Sequence, residues 1–338
     1  MIPLQHKAAG HEGPMQSIDG SLFVKPTTNQ EIEFYNKTQV KRMKLGDIEY
    51  GESLFDWMPE YVGVLYPGAS NDLIRETNGR IDQDLLNKAT DTLEIEGENK
   101  QYLILNNVLN GFSQPSIMDI KLGSILYDDS ASIEKIERMK NVSKTTTSGS
   151  LSFRIAGMII KDDFEGKLPQ DLPHLKMKDV CNKDFEKEYL TFNKYFGRKL
   201  TKENVSEGLK IFFRYNKLPK KVQDIIIQNF YVRLQMLYNC LLDEEVRIVS
   251  GSLFFVFEND IERWEKLGYE DPIIQPQLAN DEDEDDEEEE DTDDDVVNAP
   301  LSTLKFIDFA HAKYTPTQGY DEGIVSGIEN LFEIIEHV

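Results

Sequence analysis

The sequence is poor in the residues that build metal and disulfide frameworks. It has two cysteines, Cys181 and Cys240, and five scattered histidines in 338 residues. Neither type recurs at ligand spacing, which excludes a zinc-ribbon module and a disulfide scaffold and fits a reducing compartment. Long apolar runs are also missing. The longest, "LFFVF" at 253–257, is far short of the roughly 20 residues that cross a bilayer. The first residues, "MIPLQHKAAGHEGPM", have no apolar h-region, so no membrane span or leader is expected. Basic residues are few, 37 Lys and Arg against 62 Asp and Glu, which argues against direct nucleic-acid binding on a broad basic face. Four catalytic templates are absent as well: the G-x-x-x-x-G-K-[ST] P-loop, G-x-G-x-x-G, H-R-D and G-x-S-x-G.

What is present is a foldable chain with one extreme segment. Hydrophobic residues make up 39%, enough for one large core or two lobes. The net charge of −25 is concentrated: "DEDEDDEEEEDTDDD", 281–295, carries fourteen acidic side chains. Such a run repels itself and buries no apolar surface, so 276–299 is expected to be a disordered insertion.

Periodicity divides the remainder. Up to about residue 106 the chain reads as short strands with one helix. "GSLFVKP" is a strand stopped by Pro26, "QEIEFYNKTQVKRM" a helix, and "EYVGVLYPG" and "KQYLILNNVLNGF" two further strands. The polar stretch between those two strands reads as a loop. Beyond a connector near 106–110, helices lengthen. "SASIEKIERMKNVSKTTTSGS" begins as a helix and dissolves into Thr, Ser and Gly, and "LSFRIAGMIIKD" is a strand. "TKENVSEGLKIFFRYNK" is a helix behind a Thr201 cap, and "VQDIIIQNFYVRLQMLYNCLLDEE" a longer one with Ile227, Phe230, Leu234, Leu237 and Leu241 on one stripe. "VRIVSGSLFFVFE" and "STLKFIDFAHA" are strands flanking the acidic run, and "DEGIVSGIENLFEIIEHV" is a closing helix. The expected class is α+β and two-lobed, with residues 1–106 and 107–338 as the lobes and a hinge between them.

Few residues invite a chemical reading. In "PSIMDIKLGS", 115–124, a period of two turns Met118, Ile120 and Leu122 to a core and leaves Asp119 and Lys121 together on the exposed face. A surface ion pair and an active site both fit that pattern. Lys25 ends a strand and Glu31 opens the next helix, an arrangement that phosphotransferases use to hold nucleotide phosphates; a solvated strand-end lysine fits equally. In "IDFAH" Asp308 ends an apolar strand with His311 just beyond, so it suits either a divalent cation or a capping role. The turn "AAGHEG", 8–13, could approach a phosphate through its backbone N–H groups or be only a turn.

These pieces, in this order, resemble the inositol polyphosphate kinases. "PSIMDIKLG" fits that family's P-x-x-x-D-x-K-x-G signature, and "HKAAGHEG", "FVKP", "EIEFY", "WMPEYVGVL", "EKIERMK", "FGRKLT", "SGSLFFVFE", "IDFAHA" and "GYDEGIVSGIENL" follow the family's segments collinearly. The likeness is greatest to the fungal, multikinase type. It departs at "GSLF" (Gly251–Phe254), where only Ser252 and Leu253 match, at the hinge pair Asn106-Asn107, often acidic in the family, and in "VSKTTTSGS", which is longer than the animal form.

The resemblance implies a kinase-like two-lobed fold with ATP in the cleft. Lys25 would contact the ATP phosphates, held by Glu31, and Asn106, Asn107 and Val108 would receive adenine through backbone groups. Asp119 would bind the ribose, the favoured role, or support the reacting hydroxyl as a catalytic group with Lys121 and Asp308; Lys121 would lie between the γ-phosphate and the acceptor, and Asp308 with Ser252 would hold Mg2+. His311 would approach the substrate, with Lys135 and Arg138 clamping its phosphates from the helix and loop at 128–150; without the family, that helix reads as solvated and laced by ion pairs through Glu134 and Glu137. The implied reaction is phosphorylation of inositol 1,4,5-trisphosphate at the 6- and 3-hydroxyls to tetrakis- and pentakisphosphate. A single-specificity kinase of the same family, or a scaffold acting through the acidic run, is the alternative. The resemblance also implies a nuclear and cytoplasmic monomer, with MADS-box transcription factors as partners of the acidic run.

Overall fold

The computed structural model describes residues 1–4, 8, 13–66, 101–184, 188–273 and 300–338. The polar stretch between the second and third expected strands, the acidic run and most of the "AAGHEG" turn therefore lie outside the described residues. Two sheets organise what is described. Strands β1 (Ile2–Pro3), β2 (Met15–Gln16), β3 (Leu22–Thr27), β4 (Tyr61–Leu65) and β5 (Gln101–Asn106) form an antiparallel sheet in the order β1-β2-β3-β5-β4. The second sheet contains β6 (Pro115–Leu122), β7 (Phe153–Lys161), β8 (Cys181–Asp184) and β9 (Tyr189–Phe192). Strand β10 (Val246–Ile248) lies apart from it, while β11 (Ser252–Glu258) and β12 (Ser302–Ile307) complete the order β12-β11-β6-β7-β9-β8. The partner of β10 is β13 (Ala312–Tyr314).

Helices cover these sheets. They are α1 (Asn29–Lys44), α2 (Leu54–Trp57), α3 (Ile133–Lys144), α4 (Thr147–Leu151) and α5 (Lys194–Lys199), followed by α6 (Val205–Arg214), α7 (Lys220–Leu242), α8 (Ile261–Lys266) and α9 (Glu322–Ile335). Helix α1 begins where the Thr28 side chain accepts from the Glu31 N–H, and Lys41, Arg42 and Lys44 close its last turn against the helix dipole. The expected stripe of α7, from Ile227 to Leu241, is buried along its length, as are Ile324, Ile328, Leu331 and Ile335 of α9. Both helices bury these faces in the main core with Met118, Ile120 and Leu122 of β6.

Several local expectations change. Pro26 lies inside β3, opposite Tyr102, and does not stop it. The strand tolerates it because β2 reaches only as far as Val24, so on that side no described ladder needs an N–H from residue 26. The Thr-Ser-Gly stretch forms α4, with Thr147, Ser148 and Leu151 buried. The residue capping α6 is Asn204, whose side chain accepts from the Thr201 N–H; Thr201 lies one turn earlier. "VRIVSGSLFFVFE" is two strands. Ser250 turns left-handed (φ 63°), and a Cβ on Gly251 would lie 2.7 Å from both Ile248 and Phe306. Strand β6 is buried on both faces. Met118, Ile120 and Leu122 join the main core, while Ile117 packs with Ile159, Tyr189 and Val256 beside Val108 and Phe112.

Hydrogen bonds anchor the connector between the sheets at each end. The Asn107 N–H and side chain donate to Ser21 and Gly20 carbonyls, 2.7 Å each, and the Asn106 N–H donates to the Glu60 carbonyl. At the other end the fully buried Glu258 accepts from the Ser113, Gln114 and Asp260 N–H groups and from Arg263, whose guanidinium also reaches the Gly111 carbonyl. Residues 108–110 form the short turn between those anchors. Glu258→Ala would strand buried donors and a buried guanidinium, so a loss of about 3 kcal/mol is expected. Urea denaturation checks this, and a change under 1 kcal/mol would contradict the anchor.

Candidate active site

Four charged side chains meet where β3, α1, β6 and the end of β12 converge. Lys25 Nζ lies 2.7 Å from Glu31 Oε1 and 3.4 Å from Asp308 Oδ1. Lys121 Nζ lies 2.6 Å from Asp308 Oδ2 and donates to the Ser250 carbonyl at 3.0 Å. One carboxylate thus receives an ammonium from each sheet. Glu31 is itself held in place: the Thr27 hydroxyl donates to Oε2 at 2.8 Å and the Phe309 N–H to Oε1 at 3.1 Å.

Asp308 is not the last residue of a strand, as its spacing suggests, because β12 ends at Ile307 and Asp308 turns left-handed with φ 68°. A non-glycine residue there is strained, and the Phe309 N–H bond and the two ammonium contacts hold it. The turn carries the carboxylate out of the β12 ladder to the cleft mouth, where 40% of its side chain meets solvent. Protein burial raises its pKa, but Lys121 and Lys25 more than offset this and hold it well below the usual carboxylate range. The same contacts keep both ammoniums charged: burial lowers their pKa values, while Glu31 and Asp308 for Lys25, and Asp308 and Asp119 for Lys121, raise them further.

Asp119 is only 5% exposed, so the sequence expectation of an exposed Asp119–Lys121 face is corrected. It sits in the interior of the sheet, flanked by Gly157 of β7 and Phe254 of β11. Burial, and then the charge of Asp308, push the Asp119 carboxyl up against the lowering effects of Lys121 and Ser252. The Ser252 hydroxyl approaches this carboxyl without completing a hydrogen bond. Among the described residues, Asp119 Oδ1 and Ser252 Oγ are buried oxygen atoms without a hydrogen-bond partner. Unpaired hard oxygens beside an ionised aspartate suit a Mg2+ or Mn2+ ion, which takes few carboxylates and completes its shell with phosphate and water oxygens.

The remaining expected residues surround this cluster. Asn106 and Asn107 use their N–H groups and side-chain amides on Glu60, Ser21 and Gly20, which leaves the Val108 N–H as the one hinge amide without an internal partner among the described residues. His311 Nδ1 is paired with Asp128 at the edge of a groove of about 650 Å3 that Gln30, Lys37, Tyr127 and Lys313 also line. Lys135 and Arg138 lie on α3, which buries no residue, and neither side chain has an ion pair among the described residues. Glu137 pairs with Lys140 instead, 3.0 Å away.

Two cations escape sequence reasoning. Arg154 stands opposite Lys121 in the β6–β7 register. Lys305 occupies the row Asp119–Phe254–Lys305 across β6, β11 and β12 and donates to the Asp56 carbonyl at 2.9 Å. Each is a lone basic residue inside an otherwise apolar strand, a signal present in "LSFRIAGM" and "STLKFID" but uninformative without the register.

The likeness to known proteins agrees with this geometry. The family model for inositol polyphosphate kinase matches residues 102–336. The chain belongs to the inositol polyphosphate kinase family. This kinase-family chain is 42% identical to the inositol polyphosphate multikinase of Saccharomyces cerevisiae across 98% of its own length and 96% of the relative's. It is 28% identical to the Schizosaccharomyces pombe inositol polyphosphate multikinase, over 76% of this chain and 79% of that one. The crystal structure of the S. cerevisiae inositol phosphate multikinase Ipk2 in complex with ADP and Mn2+ superposes with a TM-score of 0.69 at 37% identity, covering 94% of this chain and 99% of that one. The protein is thus a phosphotransferase with the two-lobed α+β kinase-like fold of its family.

Lys305 yields a prediction with a definite sign. Burial pulls its pKa down to about 8, against an opposing pull from Asp56. The unfolded lysine still binds its proton between that value and the ordinary 10.5, so this group costs stability below pH 8 and the cost fades as pH rises. Lys305→Met is expected to raise unfolding stability at pH 7 by on the order of 1 kcal/mol, after losing the Asp56 bond, and to give no gain at pH 10. Urea melts at both pH values check it. A gain independent of pH would refute the charge argument.

Proposed function

We propose that this protein is an ATP- and Mg2+-dependent inositol polyphosphate multikinase. In this reading it carries inositol 1,4,5-trisphosphate through tetrakis- to pentakisphosphate at the 6- and 3-hydroxyls. The observation that carries the reading is the bridging of Asp308 by Lys25 from one sheet and Lys121 from the other. Phosphoryl transfer asks the protein mainly for positioning and charge neutralisation, and these three groups supply both at the interface of the lobes, 1–106 and 107–338.

Each residue then has a task. Lys25 holds the nucleotide phosphates, aimed by Glu31. The hinge of Asn106, Asn107 and Val108 takes adenine, with the Val108 N–H as its donor, and Asp119 takes the ribose. Asp308 and Ser252 hold the metal, which when bound supplies positive charge across the phosphate oxygens. Lys121, a mobile point charge, turns from Asp308 to the phosphoryl group as it passes to the acceptor. Lys135 and Arg138 clamp substrate phosphates from α3, and His311 approaches the acceptor from the other side. An open groove beside His311 fits an acceptor that binds in more than one orientation, as several products from one site require.

A second role rests on the acidic run. Its charge would attract basic segments with strong salt dependence, so MADS-box transcription factors remain the proposed partners of a monomeric enzyme that is nuclear and also cytoplasmic. A purely non-catalytic scaffold is disfavoured by intact Asp119, Lys121 and Asp308.

Incubation with inositol 1,4,5-trisphosphate, ATP and Mg2+, followed by positional analysis of the products, tests the main reading; a single mono-phosphorylated product would favour a single-specificity kinase. Asp308→Asn is expected to lower kcat by about a thousandfold or more with the fold retained by circular dichroism. Near-wild-type turnover would remove Asp308 from the site. Deleting 281–295 is expected to leave kcat and KM for the soluble substrate within twofold, and a larger drop would make the run part of the catalytic lobe.

A further inference from the structure

Asp128 holds the ring of His311 and has no task in the mechanism above. His311 lies on the turn from β12 to β13, and the backbone of that turn is fixed from two directions. From α1, Glu31 accepts the Phe309 N–H and Gln30 Nε2 donates to the Ala312 carbonyl at 3.0 Å. From the end of β10, the Val249 N–H donates to the His311 carbonyl at 3.2 Å. Only the ring of His311 is left to be oriented.

The ring has one partner. Its Nδ1 pairs with Asp128 Oδ2, and Nε2 has no hydrogen-bond partner among the described residues. Asp128 belongs to the segment between β6 and α3, which joins Lys121 to Lys135 and Arg138. Its other oxygen is already engaged, because the Ser130 N–H and hydroxyl both donate to Oδ1, at 3.1 and 2.8 Å. A surface ion pair gains little when two loose side chains must be ordered to make it. Here Ser130 orders the carboxylate in advance, and only 21% of that side chain meets solvent. Burial raises the Asp128 pKa, but the Ser130 hydroxyl, His311 and the Ser130 N–H more than offset this, so the carboxyl is ionised at neutral pH. An ionised carboxylate only accepts, so Nδ1 carries a proton, and in the neutral ring Nε2 is then a bare lone pair. Such an atom repels phosphate oxygens and accepts from a hydroxyl. His311 lies at the edge of its groove and bonds to neither Lys121 nor Asp308, which bond to each other.

We propose that Asp128, fixed by Ser130, is a positioning residue that holds His311 in its Nδ1–H tautomer, so that Nε2 accepts from a ring hydroxyl of the inositol phosphate other than the one being phosphorylated. The proposal rests on the inositol phosphate kinase reading above. Lysines and arginines that clamp phosphates tolerate several orientations of the ring. A lone pair at Nε2 separates these orientations, since it takes a free hydroxyl and refuses a phosphate at the same place. Asp128 thereby sets which hydroxyl reaches Lys121 without touching the acceptor itself.

Asp128→Asn gives a test with a definite sign. The two Ser130 donors keep the amide oxygen at the Oδ1 position and turn the amide NH2 towards Nδ1. Nδ1 must then accept, and the ring proton moves to Nε2. Long-range 1H–15N correlation spectra of the full chain at pH 9, well above the ordinary imidazole pKa of about 6.5, read the tautomer directly, with His311→Gln assigning the signal. Nδ1–H is expected in the wild type and Nε2–H in Asp128→Asn. With inositol 1,4,5-trisphosphate, ATP and Mg2+, Asp128→Asn is expected to raise the trisphosphate KM about tenfold and shift the ratio of positional products. The same variant is expected to keep kcat within about threefold and the ATP KM within about twofold. In a His311→Gln background the same change is expected to add less than about twofold, because it acts through the ring.

An Nε2–H ring in the wild type, or an unchanged trisphosphate KM in Asp128→Asn, would overturn the proposal alone. So would a full effect persisting in the His311→Gln background, which would make Asp128 a support of its own loop. A loss confined to kcat would make His311 a base at the reacting hydroxyl and equally overturn the assignment. Should Asp128→Asn fail to fold, the wild-type tautomer and the trisphosphate KM of Ser130→Ala, expected to rise about threefold, decide. A wild-type protein that neither binds nor phosphorylates the trisphosphate would overturn the parent reading, and with it the task given to Nε2, whatever the tautomer.

Discussion

The site depends on one carboxylate that cannot be neutralised from a single side. Asp308 takes Lys25 from the first sheet and Lys121 from the second, and it reaches both because its backbone leaves the β12 ladder in a left-handed turn. That turn is supported from below. Phe309, the next residue, stacks on Phe34 with ring centroids 5.0 Å apart and meets Tyr35 edge-on at 5.5 Å, both from α1. Its N–H is held by Glu31, which also holds Lys25. Packing and electrostatics thus share the same residues. The position of the first lobe, the direction of Lys25 and the strain at Asp308 are different consequences of one contact.

The cleft face of β6 illustrates what such a site costs and why it persists. Both faces of the strand are covered, so Asp119 and Lys121 stand in a desolvated layer beside Arg154 and Lys305. A stability-driven sequence would fill that layer with apolar residues, since buried charges seldom repay their desolvation. Here the excess is cationic on the β7 side of Lys121 and balanced by Asp308 on the β12 side. An enzyme that must hold two polyanions and pass a phosphoryl group between them needs that gradient in place before either ligand arrives. The anchored connector serves the same end. Glu258 and Arg263 fix one end and Ser21 and Gly20 the other, so the short turn containing Val108 is held at both ends.

The fold was largely legible in residue order. Helical stripes such as Ile227–Leu241 and the alternation of β3, β5 and β6 depend on neighbours within a few positions, and so did the resemblance carried by "PSIMDIKLG" and "IDFAHA". Where reading failed, a distant neighbour had changed the meaning of a local signal. Pro26 is tolerated because β2 is short, the Thr-Ser-Gly stretch coils because α4 can bury Thr147 and Leu151, and Asp119 lies in the sheet interior between β7 and β11.

The sequence by itself determined which side chains were available: a lysine and glutamate near the start, an aspartate and lysine two apart in a strand, and an aspartate and histidine near the end. It also determined that fourteen of the acidic residues lie in one run, leaving a net charge of −11 on the rest of the chain. Only the tertiary structure decided that Lys25 and Asp308, 283 residues apart, share a contact, that Asp308 is the common partner of two ammoniums, and that Arg154 stands opposite Lys121. The physical reason is the range of each cause. Periodicity and capping act over one or two turns of chain, whereas strand register, a left-handed backbone turn and the approach of α5 to β7 at Gly197 exist only once distant segments have packed.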